Sequence, residues 1–202
     1  IKPAQLDDLL ASKVQQTTKL EDMAGVDLII EAVLEDMQVK QDIWKKLEGI
    51  CRDEVVFGTN TSALPITEMA SILADPGRMI GLHFFNPAER MPLLEIICAR
   101  ETSDQTLASS VAFGRAIKKV PVVVNDGPGF YVSRQLGGLM GGSVFLMADG
   151  VDAASIEQAM RGFGMPMGPA TLADLTGIDI NYHVGKTFER RLGARYKVHP
   201  LT

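Results

Sequence analysis

The sequence predicts an α/β fold that is followed by an all-α region. Between residues 26 and 125, short apolar runs rich in β-branched residues alternate with amphipathic stretches, which is typical of a sheet covered by helices. Several of these runs are apolar on both faces, as expected for strands between two helix layers. The strand pattern then stops at residues 125–129, Asn-Asp-Gly-Pro-Gly, a cluster that terminates regular structure.

Elements of the first region follow from hydrophobic periodicity. The predicted strands are 26–33, 55–59, 79–85, 93–99 and 120–124, and the predicted covering helices are 39–50, 67–73 and 105–117. Asp104 is a candidate N-cap for the last of these helices. In helix 39–50 one face carries Val39, Ile43, Trp44, Leu47 and Ile50, and Lys40 and the other charged residues are expected to lie mostly elsewhere.

The second region is predicted to be helical over 130–147, 153–163 and 178–192, with an interruption at 164–169. The first of these helices contains Gly137, Gly138, Gly141 and Gly142, and each glycine costs up to ~1 kcal/mol relative to alanine. We therefore expect another backbone to pack closely against this helix, either within the domain or across a subunit interface. The predicted domains are residues 1–126 and 127–202.

Composition excludes several classes of protein. The chain of 202 residues has 20 Lys and Arg against 25 Asp and Glu, without a basic stripe, which argues against a nucleic-acid partner. The longest uncharged stretch of the glycine-rich region, 135–148, is shorter than the ~20 residues of a membrane span, so none is predicted. Two separated cysteines indicate a reducing compartment, and the three histidines lack metal-site spacing, so no metal is predicted.

One histidine is a candidate for acid–base chemistry. If the runs that end at Phe85 and begin at Leu93 pair in antiparallel fashion with these two residues opposed, His83 lies directly opposite Glu95. The carboxylate could then orient one ring nitrogen and leave the other free for proton transfer. Glu95 otherwise stands among leucines and isoleucines, where an unpaired charge is costly, so the pairing explains both residues.

Polar residues also follow two of the predicted strands. Residues 59–62, Thr-Asn-Thr-Ser, come after one strand, and Glu31 and Glu35 stand at or after the end of another. The carboxyl ends of strands form the ligand-binding edge of open α/β sheets, although an ordinary loop accounts for these residues equally well.

Taken together, five segments resemble the L-3-hydroxyacyl-CoA dehydrogenase family over nearly the whole chain. They are VDLIIEAV at 26–33, TNTS at 59–62, LHFFNP at 82–87, DGPGFYV at 126–132 and MGP at 167–169. AERMPLLE at 88–95 and GMPMGP at 164–169 look most like the dehydrogenase portion of the multifunctional fatty-acid β-oxidation enzyme of the alpha-subunit type. The resemblance implies a Rossmann-like NAD-binding domain followed by the helical C-terminal domain.

The resemblance also implies roles for individual residues. His83 would take the proton from the 3-hydroxyl of the substrate, Glu95 would stabilise the resulting imidazolium, and Ser62 would contact both substrate and nicotinamide. The positions that match NAD contacts of the family are Val33, Leu34, Glu35, Lys40, Ser62 and Asn86. Ser133 stands where the family has a substrate-binding asparagine, which is a departure from its pattern.

A second departure concerns the cofactor site. The family's first βαβ unit, with its GxGxxG turn, would precede Ile1, and the helical domain would continue beyond Thr202. The chain is therefore expected to be a fragment with a truncated NAD-binding domain, inactive on its own.

The function that follows is NAD-dependent oxidation of (S)-3-hydroxyacyl-CoA to 3-oxoacyl-CoA in fatty-acid β-oxidation. The expected partners are the acyl-CoA substrate and either a second copy of the chain or a thiolase subunit. The expected location is cytoplasmic in a bacterium and mitochondrial or peroxisomal otherwise. Two alternatives stay open: a non-catalytic, degenerate homologue that acts as a scaffold, and a related dehydrogenase of free 3-hydroxy acids.

Overall fold

A five-stranded, mostly parallel sheet forms the first part of the molecule. The computed structural model describes residues 10–200. The strands are β1 (Leu28–Glu31), β2 (Val56–Thr59), β3 (Met79–Phe84), β4 (Leu93–Cys98) and β5 (Val120–Asn125), in the order β1-β2-β3-β4-β5. β1, β2 and β3 run parallel, β4 is antiparallel to β3, and β5 is parallel to β4. All five predicted strands are confirmed, with shifts at their ends.

Helices cover both faces of this sheet. They are α1 (Met37–Glu48), α2 (Ile66–Ala70) and α3 (Asp104–Ala116). Trp44 of α1 and Met69 of α2 lie in a fully buried cluster on one face, which also contains Phe57 of β2. Leu107 and Val111 of α3 pack against a second cluster on the other face. Apolar residues on both sides of β2, β3 and β4 are thereby removed from water, which explains why these strands do not alternate between apolar and polar residues.

Two predictions about these helices are wrong in detail. Ser103, not Asp104, is the N-cap of α3, because its side chain accepts a hydrogen bond from the backbone N–H of Thr106. Lys40 does not lie on the outer face of α1: its side chain is 1% exposed, whereas Val39 is 37% exposed. Burial of a lysine is possible here because a carboxylate on β1 faces it, as described below.

The second part is helical throughout the described residues. Its α-helices are α4 (Val132–Ala148), α5 (Ala153–Phe163), α6 (Pro169–Thr176) and α7 (Ile178–Leu192). The sequence analysis missed α6, which begins at the proline that was expected to end the interruption. Short 3₁₀ turns lie at Leu20–Met23, Pro76–Arg78 and Gly193–Arg195. None of the helices within residues 10–200 is both long and apolar enough to span a bilayer.

The glycines of α4 differ in their surroundings. A Cβ atom added to Gly137 would lie 2.5 Å from the ring of Phe188 on α7, so α4 and α7 approach closely only because this residue is glycine. An added Cβ at Gly141 would lie 3.5 Å from the Tyr196 hydroxyl, which is an ordinary contact distance, and one at Gly138 or Gly142 would have nothing within 4 Å among the described residues. Packing within the domain therefore explains only Gly137 of the four glycines, and the contact is with a side chain and not with another backbone.

Candidate active site

His83 and Glu95 form a buried pair at the junction of β3 and β4. The antiparallel register places them directly opposite each other, as predicted. His83 Nδ1 lies 2.7 Å from Glu95 Oε2, and the two residues are 5% and 0% exposed. Because Glu95 engages Nδ1, the Nε2 atom is the ring nitrogen available for a substrate.

The second oxygen of Glu95 is used as well. Oε1 accepts hydrogen bonds from the backbone N–H groups of Tyr131 and Val132, at 3.1 and 2.9 Å. These groups belong to the first turn of α4, where a negative charge is favoured. A single carboxylate therefore orients the histidine and attaches the helical region to the sheet. The sequence analysis did not find this contact, because nothing in residues 130–132 signals a partner 36 positions away.

Aromatic side chains enclose the histidine. The ring of Phe85 lies 4.5 Å from the His83 ring, and that of Phe130 lies 5.8 Å away in an edge-on arrangement. Phe130 is 4% exposed and has a φ of 51°, a backbone conformation that phenylalanine rarely adopts. Such strain persists only where the surrounding structure imposes it, and it occurs here at the turn that leads into α4.

The loops after β1 and β2 are linked by Glu35. Its Oε1 accepts hydrogen bonds from the Thr61 hydroxyl at 2.5 Å and from the backbone N–H groups of Ser62 and Ala63 at 3.0 and 3.3 Å. Ser62 itself is exposed at the carboxyl edge of the parallel strands. This carboxylate thus fixes the backbone that carries Ser62.

Lys40 lies behind Glu35 in the interior. Its Nζ is 2.6 Å from Glu31 Oε1, 3.3 Å from the Val33 carbonyl oxygen and 3.4 Å from Glu35 Oε2. Glu31 is 5% exposed and also accepts hydrogen bonds from the Thr59 hydroxyl and from the backbone N–H of Val33. From the sequence, Glu31 was expected only as a polar residue at the ligand-binding edge or in an ordinary loop, and its buried pairing with Lys40 was not predicted.

The remaining positions that the family resemblance assigned to the cofactor are exposed. Val33 and Leu34 follow β1 and are 42% and 76% exposed, and Asn86 follows β3. Apolar side chains exposed beside polar loops, at the carboxyl edge of three parallel strands, suit a ligand with a flat ring and hydrogen-bonding groups. The residues present therefore fit the nicotinamide end of a dinucleotide. No cluster of three or more metal-ligating side chains occurs within residues 10–200.

A cavity of about 420 Å³ lies within the helical region, and among the described residues Ser62 alone lines it from the side of the sheet. Ser62 and Ser133 both line it, so these two predicted substrate contacts face a common space. Further along α4 its wall is apolar and includes Leu136, Met140 and Val144. The arrangement joins polar groups at the sheet edge to an apolar recess.

Two family models match consecutive parts of the chain. Residues 1–127 match the model described as 3-hydroxyacyl-CoA dehydrogenase, NAD binding domain, and residues 129–202 match 3-hydroxyacyl-CoA dehydrogenase, C-terminal domain. Among curated proteins, the fatty acid oxidation complex subunit alpha of Shewanella sp. (strain W3-18-1) is 40% identical over 195 residues, 96% of this chain. The protein of the same name from Shewanella oneidensis is also 40% identical over 195 residues. The chain spans 28% of the length of these relatives.

Solved structures of dehydrogenases share this architecture. The (S)-3-hydroxybutyryl-CoA dehydrogenase of Ralstonia eutropha is 30% identical with a TM-score of 0.85, over 94% of this chain and 72% of its own. The 3-hydroxybutyryl-CoA dehydrogenase of Escherichia coli is 28% identical with a TM-score of 0.88, over 98% of this chain and 46% of its own. The similarity therefore extends across both the sheet and the helices.

Proposed function

The chain belongs to the 3-hydroxyacyl-CoA dehydrogenase family, and from this membership we propose that it oxidises (S)-3-hydroxyacyl-CoA to 3-oxoacyl-CoA with NAD in fatty-acid β-oxidation. The observation that carries the proposal is the buried His83–Glu95 pair. A general base needs one nitrogen held and the other available, and this pair supplies both.

The steps assigned to this chain concern a proton and its positioning. His83 Nε2 accepts the proton of the substrate's 3-hydroxyl group as the C3–H bond is broken. Glu95, at 2.7 Å from Nδ1, stabilises the positive charge that develops on the ring. Ser62 and Ser133 donate hydrogen bonds that hold the 3-oxygen in place. Bound NAD supplies the acceptor for the hydride that leaves C3.

Residues at the carboxyl edge of the sheet would hold the nicotinamide end of NAD. Val33 and Leu34 offer apolar contact, and Asn86 and Ser62 offer hydrogen bonds at the ends of neighbouring strands. Glu35 completes this group, with Lys40 behind it. Support for NAD comes from the family model over residues 1–127, which is described as an NAD binding domain.

The apolar recess supports an acyl substrate. A 3-oxygen held by Ser62 and Ser133 places the rest of the acyl chain beside Leu136 and Met140 of α4, which line the same cavity. Burial of each methylene contributes about 0.8 kcal/mol, so a recess of this kind favours a substrate with an alkyl tail.

Partners and location rest on the curated relatives. Because these are alpha subunits of a fatty acid oxidation complex, we propose that this chain also acts within a complex, with a thiolase subunit or a second copy as its partner. The relatives with 40% identity are bacterial, which supports a cytoplasmic location.

The test is an assay of the protein at its natural length with (S)-3-hydroxyacyl-CoA and NAD. We expect NADH and 3-oxoacyl-CoA to form in equal amounts, and we expect no turnover with the free 3-hydroxy acid. Turnover of the free acid instead would support the related class of 3-hydroxy-acid dehydrogenases. Absence of turnover with either substrate, in a protein that is folded, would overturn the proposal and favour the scaffold alternative.

A further inference from the structure

The ammonium group of Lys40 is fully occupied by the protein itself. A lysine side chain has three N–H donors. Three acceptors lie within 3.4 Å of Lys40 Nζ: Glu31 Oε1, the Val33 carbonyl oxygen and Glu35 Oε2. The side chain is 1% exposed, so no surface remains for a bound molecule.

Glu31 fixes this ammonium in space. Its carboxylate lies between Lys40 and the Thr59 hydroxyl, which donates to Oε2 at 2.7 Å. Glu31 and Thr59 are also register partners on β1 and β2. Because the charge pair is buried and hydrogen-bonded at both oxygens of Glu31, its geometry follows the geometry of the sheet.

Glu35, in contrast, is not buried, and contacts at its two carboxylate oxygens hold it in place. Its side chain is 45% exposed and follows β1 in a loop. Oε2 faces Lys40, and Oε1 accepts from the Thr61 hydroxyl and from the N–H groups of Ser62 and Ala63. The attraction of Lys40 to Oε2 therefore acts together with these hydrogen bonds to keep the carboxylate against the loop that carries Ser62.

We propose that Lys40 is a positioning residue: anchored by Glu31, it holds the Glu35 carboxylate in place, and Glu35 in turn holds the backbone of Ser62. The inference rests on the proposed function, in which Ser62 orients the substrate. It differs from the direct contact with NAD that the family resemblance assigns to Lys40, because a direct contact requires an exposed ammonium.

A charge-balanced double variant separates this role from a purely structural one. Lys40→Met alone leaves the buried Glu31 without an opposite charge and is expected to lose much stability. Glu31→Gln combined with Lys40→Met removes both charges at nearly constant volume and should restore Tm close to that of the unaltered protein. Lys45→Met, an exposed position on the same helix, is the matched control.

Two readouts test the positioning. Amide hydrogen exchange at Ser62 and Ala63 should become about tenfold faster in the double variant, because each of these N–H groups loses a fixed acceptor. In the protein at its natural length, kcat should fall about tenfold or more, because Ser62 is no longer held in place. Glu35→Ala, which removes the acceptor, should speed the exchange of the same two amides. Lys45→Met should change neither exchange nor kcat.

Other results would overturn the inference. If the double variant has a restored Tm, normal amide exchange and a normal kcat, the Glu31–Lys40 pair has only a structural role. A tenfold rise in KM for NAD with unchanged kcat would make Lys40 a direct cofactor contact. If the double variant does not fold, unchanged exchange in Glu35→Ala would refute the link to Ser62. Absence of turnover in the unaltered protein would overturn the proposed function. The amide exchange rates would then decide on their own whether Lys40 holds Glu35 and the backbone of Ser62 in place.

Discussion

Glu95 shows how one buried residue can serve two parts of the molecule. Its carboxylate accepts from His83 on one oxygen and from the backbone of Tyr131 and Val132 on the other. An amide in its place has only one acceptor oxygen, so one of the two sets of contacts must face an NH₂ group.

Glu95→Gln is therefore expected to reduce both stability and turnover. The free energy of unfolding should fall by about 1–3 kcal/mol, since a fully buried donor loses its partner. The kcat should fall by about 10²-fold, because the ring of His83 is no longer held or charge-stabilised. Denaturant unfolding and steady-state kinetics measure the two effects, with the exposed Glu101→Gln as control. Unchanged kcat in the Glu95 variant would remove this carboxylate from the mechanism.

Ser133 tests whether the chain is a degenerate member of its family. It lines the cavity together with Ser62, at a position where the resemblance expects asparagine. If the serine is a partial loss of function, Ser133→Asn should raise kcat/KM for 3-hydroxyacyl-CoA about three- to tenfold, which is the effect of one better hydrogen bond. A fall in kcat/KM would instead identify the serine as an adapted contact and would remove the main support for the scaffold alternative.

At the scale of residues, the sequence could predict a contact between two neighbouring strands, because the strand register determines it. It could not predict a contact that depends on a further helix or strand. His83 and Glu95 were found by pairing two adjacent apolar runs. Lys40 was misplaced because helical periodicity alone assigns a lysine to the surface, and the carboxylate that permits its burial lies on β1. For the same reason, the sequence did not reveal that the backbone N–H groups at the start of α4 donate to a carboxylate on β4.

At the scale of elements, α4 contains two neighbouring glycines, Gly137 and Gly138, whose substitutions can be compared directly. A Cβ at Gly137 would lie 2.5 Å from the Phe188 ring, whereas a Cβ at Gly138 would have nothing within 4 Å among the described residues. Gly137→Ala should lower Tm, because overpacking of about 1–3 kcal/mol exceeds the gain of up to about 1 kcal/mol in helix propensity.

Gly138→Ala should raise Tm, since it gains the propensity without the clash. Thermal unfolding of both variants measures the contrast. Equal shifts of the same sign would show that α4 and α7 do not pack as described. A loss of dimer in size-exclusion chromatography for Gly138→Ala would favour the subunit interface that the sequence analysis left open.

The start of α6 depends on Glu157, a residue of α5. Its carboxylate accepts from the N–H groups of Gly168, Ala170 and Thr171 and from the Thr171 hydroxyl. The backbone N–H and the hydroxyl of Thr171 hold the pKa of Glu157 below its ordinary value of 4.5. Because the folded-state pKa is depressed, this stabilisation is fully present above pH 4.5 and is lost as the pH falls through the folded-state value.

Glu157→Gln should therefore lower Tm at neutral pH by about 2–4 °C, the shift typical of a weakened cap in a chain of this size. The difference in Tm from the unaltered protein should shrink as the pH is lowered below 4.5. Calorimetry across this range, with the exposed Asp174→Asn on α6 as control, checks the prediction. A Tm difference that does not depend on pH would exclude the charge of Glu157 as the cause.

This cap also explains why α6 escaped sequence analysis. Gly168 and Pro169 are residue types that usually interrupt a helix, yet proline is well suited to the first position of a helix. The capping side chain comes from 11 residues earlier, outside the window in which capping boxes are recognised. In contrast, α5 and α7 have the predicted bounds, because their apolar periodicity is local.

On the scale of the whole molecule, the His83–Glu95 pair lies where the sheet and the helices meet. Among the described residues, Glu95 binds the start of α4, and Arg191 on α7 pairs with Glu68 on α2 at 2.6 Å, so both side chains connect the two parts. At the boundary, Asp126 accepts from the N–H groups of Ile66 and Thr67 on α2. The alternation of strands and helices predicted both parts and their order, but these long-range contacts had no signal in the sequence.

The central claim is that His83 is the general base of a 3-hydroxyacyl-CoA dehydrogenase, and one comparison of kcat tests it most directly. His83→Gln and His183→Gln remove one imidazole each, the first from the buried pair with Glu95 and the second from an exposed position on α7. With (S)-3-hydroxyacyl-CoA and NAD, we expect kcat to fall about 10²–10⁴-fold for His83→Gln and to stay unchanged for His183→Gln, while both variants remain folded. A kcat within twofold of the unaltered protein for His83→Gln would contradict the account.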